Sequence, residues 1–363
     1  MILTKDDVTP EALAREKADI ARRFDVTDVD ELRRFPQFFQ IETTRLCNAH
    51  CTFCAIDQWD KSVPFMSDEL FEKIAAELEL HRDWVKFVDI QRAGEPLMDK
   101  KIYDRIKRVK DGGLPFVCTT TNASMLNERN AKKLLETGID EVMLSIDAIE
   151  KEPYEKMRVG LKFETVVANI ERFFALRDQI SPDCIIRVRG VSFHDTSNPD
   201  DVAAIERWEQ FWRRLSKPHD RIYMKRAHNW GNQRIVEGHS PEYHWVWHPC
   251  VIPFSTMHIT SAGKIGLCGQ DYDAITDLDD ITTASIAEVW QSEKFRQVRE
   301  IHLTGRRNEI ALCQGCRLFD EEFSLERNKD TAKGAAKPTL TATPEELANH
   351  QLHGIKTKAK SLV

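Results

Sequence analysis

Three cysteines, Cys47, Cys51 and Cys54, stand in the run Leu-Cys-Asn-Ala-His-Cys-Thr-Phe-Cys, with three residues and then two between the thiols. That spacing can bring three thiolates to one small inorganic cluster while supplying no fourth ligand, which leaves one metal vertex open for chemistry. Tight Cys runs of this kind ligate iron-sulfur clusters. Structural zinc is the alternative, because His50 is available as a further ligand. A disulfide framework belongs to small secreted scaffolds and is not expected in a chain of 363 residues with nine Cys and no apolar signal segment at its start.

A second set lies beyond a Trp- and His-rich connector over 228–248. Cys250 is followed by twelve residues, Gly263, four residues and Cys268, and Cys313 and Cys316 form a final Cys-x2-Cys pair. The turn composition of Ser261-Ala-Gly-Lys264 predicts a hairpin of 256–260 with 265–268, folding Cys268 back toward Cys250. The stretch 285–301 reads as one helix leading to the final pair. On spacing alone, four thiols suit tetrahedral zinc as well as an iron-sulfur cluster.

These sites need a scaffold, and the pattern from residue 38 onward supplies one. Strand-like runs at 38–44, 84–91, 115–121, 141–147, 184–193 and 221–227 alternate with amphipathic helical stretches at 67–80, 100–110, 126–137, 163–177 and 199–215. Strand-helix alternation argues for parallel strands joined by crossover helices, hence an α/β fold. Active sites in such barrels gather at the carboxyl ends of the strands. The first cysteine loop follows the first strand, and Gly94, Glu95 and Pro96 follow the second. Asn122 follows the third, and Ser145 ends the fourth, ahead of Arg158. Arg187 and Arg189 share a parity in the fifth. Before the barrel, Thr9 caps and Pro10 opens a peripheral helix. After residue 328 the composition becomes basic and Thr-rich, as in a linker, with at most a short helix near 344–350.

The triplet resembles the Cys-x3-Cys-x2-Cys signature of the radical S-adenosylmethionine superfamily. The resemblance implies a partial (β/α)6 TIM-like barrel and a 4Fe-4S cluster held by Cys47, Cys51 and Cys54, with S-adenosylmethionine on the open iron. One electron then cleaves the sulfonium to give a 5'-deoxyadenosyl radical that abstracts hydrogen from substrate. Ala93-Gly-Glu-Pro96 resembles the family's Gly-Gly-Glu or Gly-Glu-Pro element, implying that Glu95 receives the cofactor's ammonium. Ser145 and Arg158 match positions that bind a ribose hydroxyl and the methionine carboxylate, and Phe53, Asn122 and Arg189 complete the implied cofactor contacts. The downstream spacing, with Asp271 after Cys268, resembles the auxiliary-cluster domain of the superfamily. Glu322 stands where the full SPASM form has its next Cys, so the shorter, twitch-type form is implied, with a second 4Fe-4S cluster on Cys250, Cys268, Cys313 and Cys316. The expected organisation is an N-terminal helical extension over 1–35, the barrel over 36–240, the twitch-type iron-sulfur domain over 241–325 and a flexible tail over 326–363.

Complete ligation of the second cluster points to electron transfer, and therefore to net oxidation of substrate. Asp271 and Tyr272 are candidates for proton transfer or substrate contact. Within the twitch group the resemblance favours dehydrogenation of a sugar or aminocyclitol-like small molecule; a peptide maturase is the main alternative. An epimerase would need a hydrogen-donating thiol such as Cys118 or Cys184, which otherwise pack as small apolar residues. A zinc-stabilised binding protein is the non-enzymatic reading. An external one-electron reductant such as flavodoxin or ferredoxin is implied. With 52 Lys and Arg against 59 acidic residues, a net charge of -7, and no long basic block or membrane-length apolar run, neither nucleic acid nor a bilayer is an expected partner. Free thiols at this density point to a reducing, cytoplasmic setting.

Overall fold

The computed structural model describes residues 8–193, 198–228, 230–231, 233 and 247–316. The tail, most of the connector and Glu322 lie outside the described residues. The chain divides into two compact units, one of residues 37–227 with 258–264, the other of 1–36, 228–257 and 265–363.

In the first unit the strands are β1 (Phe38–Ile41), β2 (His50–Cys51), β3 (Phe87–Asp89), β4 (Val117–Thr121), β5 (Glu141–Ser145), β6 (Arg158–Val159), β7 (Ile185–Ser192) and β8 (Arg221–Arg226). Strands β1, β3, β4, β5, β7 and β8 pair in that order, all parallel. All six predicted barrel strands are therefore present, each shorter than its apolar run. Helices Asp68–Leu80, Ile102–Asp111, Glu128–Glu136, Phe163–Ile180 and Pro199–Arg213 make the crossovers.

Local chemistry starts these helices where the sequence places them. Ser67 Oγ accepts from Leu70 N at 3.1 Å and Asn127 Oδ1 from Asn130 N at 3.0 Å, satisfying first-turn donors that have no intrahelical partner. Pro199 opens its helix after an Asn198 cap. One face of the sheet is apolar, with Phe39, Ile41, Val88, Val117, Val142, Ile186 and Val188 fully buried. Each such side chain contributes roughly 1.5–3 kcal/mol by leaving water. The other face is polar, and β7 shows the alternation residue by residue, its odd positions from Ile185 to Val191 partly exposed and its even positions buried.

The second unit begins with the predicted helix, Pro10–Arg23, capped by Thr9. Strands β9 (Thr256–Ile259) and β10 (Ile265–Gly266) flank the expected Ser261–Lys264 turn, which falls in the first unit's range and is closed by Thr260 N donating to Lys264 O at 2.9 Å. The single helix expected over 285–301 is instead two, Ile286–Trp290 and Glu293–Leu303. The break follows from Ser292, whose hydroxyl accepts from Phe295 N and starts a new helix where a continuous one would leave it a poor interior residue. Trp290 then donates its indole N–H to Leu32 O at 2.8 Å, tying the helix pair to the N-terminal segment. Among the described residues no helix is long and apolar enough to cross a membrane.

Candidate metal centres

The loop after β1 carries Cys47, Cys51 and Cys54, each partly buried. Their thiols lie within mutual electrostatic reach, since Cys51 acts on Cys47 and both act on Cys54. Burial pushes the Cys47 thiol up to about 11 and the Cys54 thiol to about 12, and it raises Cys51 as well. Thiols held this way keep their protons until a cationic centre arrives to reverse the balance. Backbone groups of Ala49 and Ile56 already donate to the sulfurs of Cys47 and Cys54. Hydrogen bonds to thiolate sulfur are one of the means by which proteins tune iron-sulfur clusters. Among the described residues no three His, Cys, Asp or Glu side chains are gathered at a single-ion position. The donor set of three desolvated thiols with N–H donors fits a cluster with one protein-free vertex.

The geometry of this loop is imposed from several sides. Gly94 sits at φ +72°, and a Cβ there would lie 2.6 Å from the carbonyl oxygens of Thr44 and Leu46. Glu95 N donates to Leu46 O at 2.7 Å, so only glycine at 94 lets the second strand's loop lie against the cysteine loop. Pro96 opens a short 3-10 turn over 96–98. The Glu95 carboxylate, expected to meet an ammonium, is buried and engaged by the protein itself: it accepts from Thr121 Oγ1 at 2.7 Å, Asn122 N at 2.7 Å and Leu97 N at 3.2 Å. These three donors make it a brace between the loop after β3 and the end of β4. Asn122 points its amide at Asn48 Oδ1, 2.9 Å away, with Cys47 Sγ at 3.9 Å.

Arg158 comes to the loop by a route the sequence hid. A short helix, Lys151–Met157, delivers it to β6, which pairs antiparallel with β2 and sets Arg158 directly opposite Cys51. Its guanidinium bonds Ser145 Oγ at 2.8 Å and grips Asp147 through two nitrogens, one contact very short and the other 3.0 Å. Burial works against the charge, but Asp147 and Cys51 outweigh it and raise Arg158 above its ordinary value. The ring of Phe53 lies under the guanidinium at 5.3 Å and against Phe193 at 5.9 Å. Arg158, Ser145 and Phe53 are thus brought together with Cys51, and Asp147 holds the fork that the resemblance assigns to a methionine carboxylate. Arg189 is the register partner of Ser145 on the neighbouring strand.

In the second unit Cys250, Cys268 and Cys316, the other three thiols expected to hold the auxiliary cluster, all act electrostatically on Cys313. Burial drives Cys268 and Cys313 far above the ordinary thiol value. Two residues missed from sequence organise them. His302 accepts from Cys250 N at 3.0 Å through Nδ1 and stands 3.7 Å from Cys313 Sγ through Nε2. Arg307, fully buried, donates to His248 O at 2.9 Å and Cys316 O at 2.5 Å. Neither has a spacing signal, since a lone His on an amphipathic helix looks like any packed histidine.

Asp271 has a structural task in the turn after Cys268. Wholly buried, it accepts from Leu267 N at 2.9 Å and Ile275 N at 2.8 Å and takes a very short bond from the Thr276 hydroxyl, organising the turn after Cys268. Tyr272 is buried with its ring edge-on to Trp230 at 6.1 Å, and Trp230 packs on His228 at 5.0 Å.

Residues 41–196 match the radical SAM superfamily, and residues 250–317 match the SPASM iron-sulfur cluster-binding domain. The chain thus carries a radical SAM domain followed by a SPASM-type iron-sulfur domain, which implies S-adenosylmethionine and 4Fe-4S chemistry. Among curated relatives, a probable GTP 3',8-cyclase of Methanococcus maripaludis is 30% identical over 145 residues, 39% of this chain and 47% of that protein. A cofactor-modifying protein for the tungsten-containing aldehyde ferredoxin oxidoreductase of Pyrococcus furiosus is 28% identical over 31% of each chain. The chain spans about half the length of the first of these relatives. Among solved structures, BtrN in complex with AdoMet and 2-DOIA aligns with a TM-score of 0.51 at 16% identity, covering 76% of this chain and 91% of BtrN. Streptococcus suis SuiB bound to precursor peptide SuiA aligns at 0.59 and 12% identity over 80% of this chain and 74% of SuiB, a likeness of fold.

Proposed function

We propose that this protein is a radical S-adenosylmethionine oxidoreductase with two 4Fe-4S clusters, one on Cys47, Cys51 and Cys54 and one on Cys250, Cys268, Cys313 and Cys316, acting on a sugar or aminocyclitol-like alcohol. The observation that carries the reading is the unequal pair of thiol sets, three in one unit and four in the other. When bound, the first cluster and S-adenosylmethionine supply the radical that removes a substrate hydrogen atom. The chain's residues do the rest. Arg158, fixed by Asp147 and Ser145, neutralises negative charge beside Cys51 and keeps the cysteine loop in register with β6. Glu95 and Gly94 hold the loop against the strand ends. In the second unit, complete thiol ligation leaves no place for substrate and suits acceptance of one electron, the step that turns hydrogen abstraction into a two-electron oxidation. Four ligands without the three further Cys of a full SPASM domain make the twitch form the better description.

The names of the curated relatives favour a second reading, cyclisation of GTP. One experiment separates the two. The anaerobically reconstituted protein is reduced with S-adenosylmethionine and either GTP or a panel of alcohols and amino sugars, and 5'-deoxyadenosine and product are quantified. About eight irons per chain and alcohol-dependent 5'-deoxyadenosine release with a ketone product support the oxidoreductase. GTP-dependent release with a cyclised nucleotide replaces it by the second reading.

A further inference from the structure

The polar face of the barrel sheet holds side chains that neither cysteine set uses. Gln40, Asp89, Cys118 and Glu141 are successive register partners across β1, β3, β4 and β5, and in a parallel sheet such partners share a face. Thr120, two residues beyond Cys118, pairs with Met143, which pairs with Arg187, so both lie on that same face. His258 joins them through its contact with Gln40.

Four buried polar atoms on this face have no partner: Asp89 Oδ1, Thr120 Oγ1, Arg187 Nε and His258 Nε2. Asp89 is 5% and His258 2% exposed. Buried polar groups are nearly always paired, so four orphans on one sheet face need an explanation. Their neighbours define what each can do. Asp89 takes a hydrogen bond from Cys118 and keeps its other oxygen as an acceptor. Arg187 Nη2 reaches both Glu141 oxygens, at 2.7 and 2.9 Å, and Nε–H is left as a donor. His258 Nδ1 lies 2.9 Å from Gln40 Oε1, which only accepts, so the ring proton is on Nδ1. Burial and the nearby Arg92 keep that ring neutral, and Nε2 is therefore an acceptor. The Thr120 hydroxyl can act either way.

We propose that these four atoms form the substrate-recognition set of the barrel, and that they take a neutral polyhydroxylated ring. This deepens the sugar or aminocyclitol reading above and rests on it. A hydroxyl both donates and accepts, so a polyol satisfies two acceptors, one donor and one hydroxyl together. A triphosphate brings only acceptors, and it meets a face where the unpartnered acceptors outnumber the donors. An apolar side chain would leave all four atoms unmatched.

The test is ligand-observed NMR on the reconstituted holoenzyme with S-adenosylmethionine, using myo-inositol, D-glucose, D-glucosamine and GTP as probes. Wild type is expected to bind at least one of the three polyols, and Thr120→Val and Asp89→Asn are each expected to weaken that binding about tenfold or more. Iron content and far-UV spectrum certify that the variants are folded; the nearly isosteric Thr120→Val decides if Asp89→Asn fails. Binding of GTP alone, binding of none of the probes, or polyol binding untouched by the substitutions overturns the assignment. If those failures come with normal 5'-deoxyadenosine release on reduction, the recognition set falls and the radical chemistry stands; loss of 5'-deoxyadenosine itself counts against the function proposed above.

Discussion

Gly94→Ala is the sharpest probe of how the chain holds its cysteine loop, because the structure supplies its own control. Gly94 and Gly138 occupy nearly the same left-handed backbone conformation, at φ +72° and +78°. A side chain at either position pays about 1–2 kcal/mol for that conformation. The surroundings differ completely. A Cβ at 138 meets nothing within 4 Å, whereas at 94 it lands 2.6 Å from two backbone carbonyl oxygens of the cysteine loop. Backbone cannot rotate away like a side chain, so relief requires moving the loop, an overpacking cost of about 1–3 kcal/mol. Displacement also threatens the 2.7 Å bond from Glu95 N to Leu46 O, worth about 1 kcal/mol. Gly138→Ala is thus expected to lose about 1–2 kcal/mol and Gly94→Ala about 3–5 kcal/mol. Urea unfolding with unchanged m-values measures both. Iron content adds a second readout: Gly138→Ala keeps its full complement, and Gly94→Ala loses iron together with 5'-deoxyadenosine release. Equal losses in the two variants, or a fully iron-loaded and active Gly94→Ala, would refute the idea that close approach at Gly94 fixes the cysteine loop.

Other consequences follow from single observations. Burial raises Asp89 from 3.8 to about 7, against the opposing pull of Cys118, Arg187 and Arg189. A carboxyl whose folded pKa is raised stabilises the fold fully below its ordinary pKa, and that contribution is lost as pH climbs through the folded value. Asp89→Asn should therefore gain stability relative to wild type between about pH 4 and pH 7 and hold the gain above, and a difference independent of pH in urea titrations would contradict this. Asp220 and Arg177 form a wholly buried pair at 2.7 Å, with Asp220 also accepting from Ile186 N and Lys217 N; Asp220→Ala should cost about 3 kcal/mol, since the guanidinium keeps Asp178 and Cys184 O but the two backbone donors lose their acceptor, measurable as a lowered urea midpoint. Ser292→Ala removes the second cap of the broken helix and should cost about 1 kcal/mol in the same assay. Cys54→Ala should abolish 5'-deoxyadenosine release, while Cys316→Ala should leave some release and lose oxidised product; full product formation in the latter would remove the electron-accepting role of the second thiol set.

What the sequence disclosed and what it withheld divide along the range of the interactions involved. The six parallel strands and their crossover helices were legible because periodicity and caps are local: Ser67, Asn127 and Pro199 start helices whatever the rest of the chain does. The break at Ser292 was local too, yet the apolar repeat on either side masked it. The site's wiring was not legible because it depends on partners far apart in sequence. Nothing near Arg158 announces that a two-residue strand will set it across from Cys51, since a two-residue strand has no periodicity to read. Glu95 illustrates the same point from the other side. A Gly-Glu-Pro element at a strand end invites a ligand-binding role, but Thr121 and Asn122, twenty-six and twenty-seven residues away, claim the carboxylate. Asp271 is engaged at short range, by the turn it sits in. The thiols themselves were readable since their spacing is a local pattern in the chain, whereas the groups beside them, Asp147, His302 and Arg307, answer only to the fold. Such orienting groups decide how far a loop can move when charge changes at its centre, so substitutions at Asp147 or His302 should alter metal loading while leaving every cysteine in place.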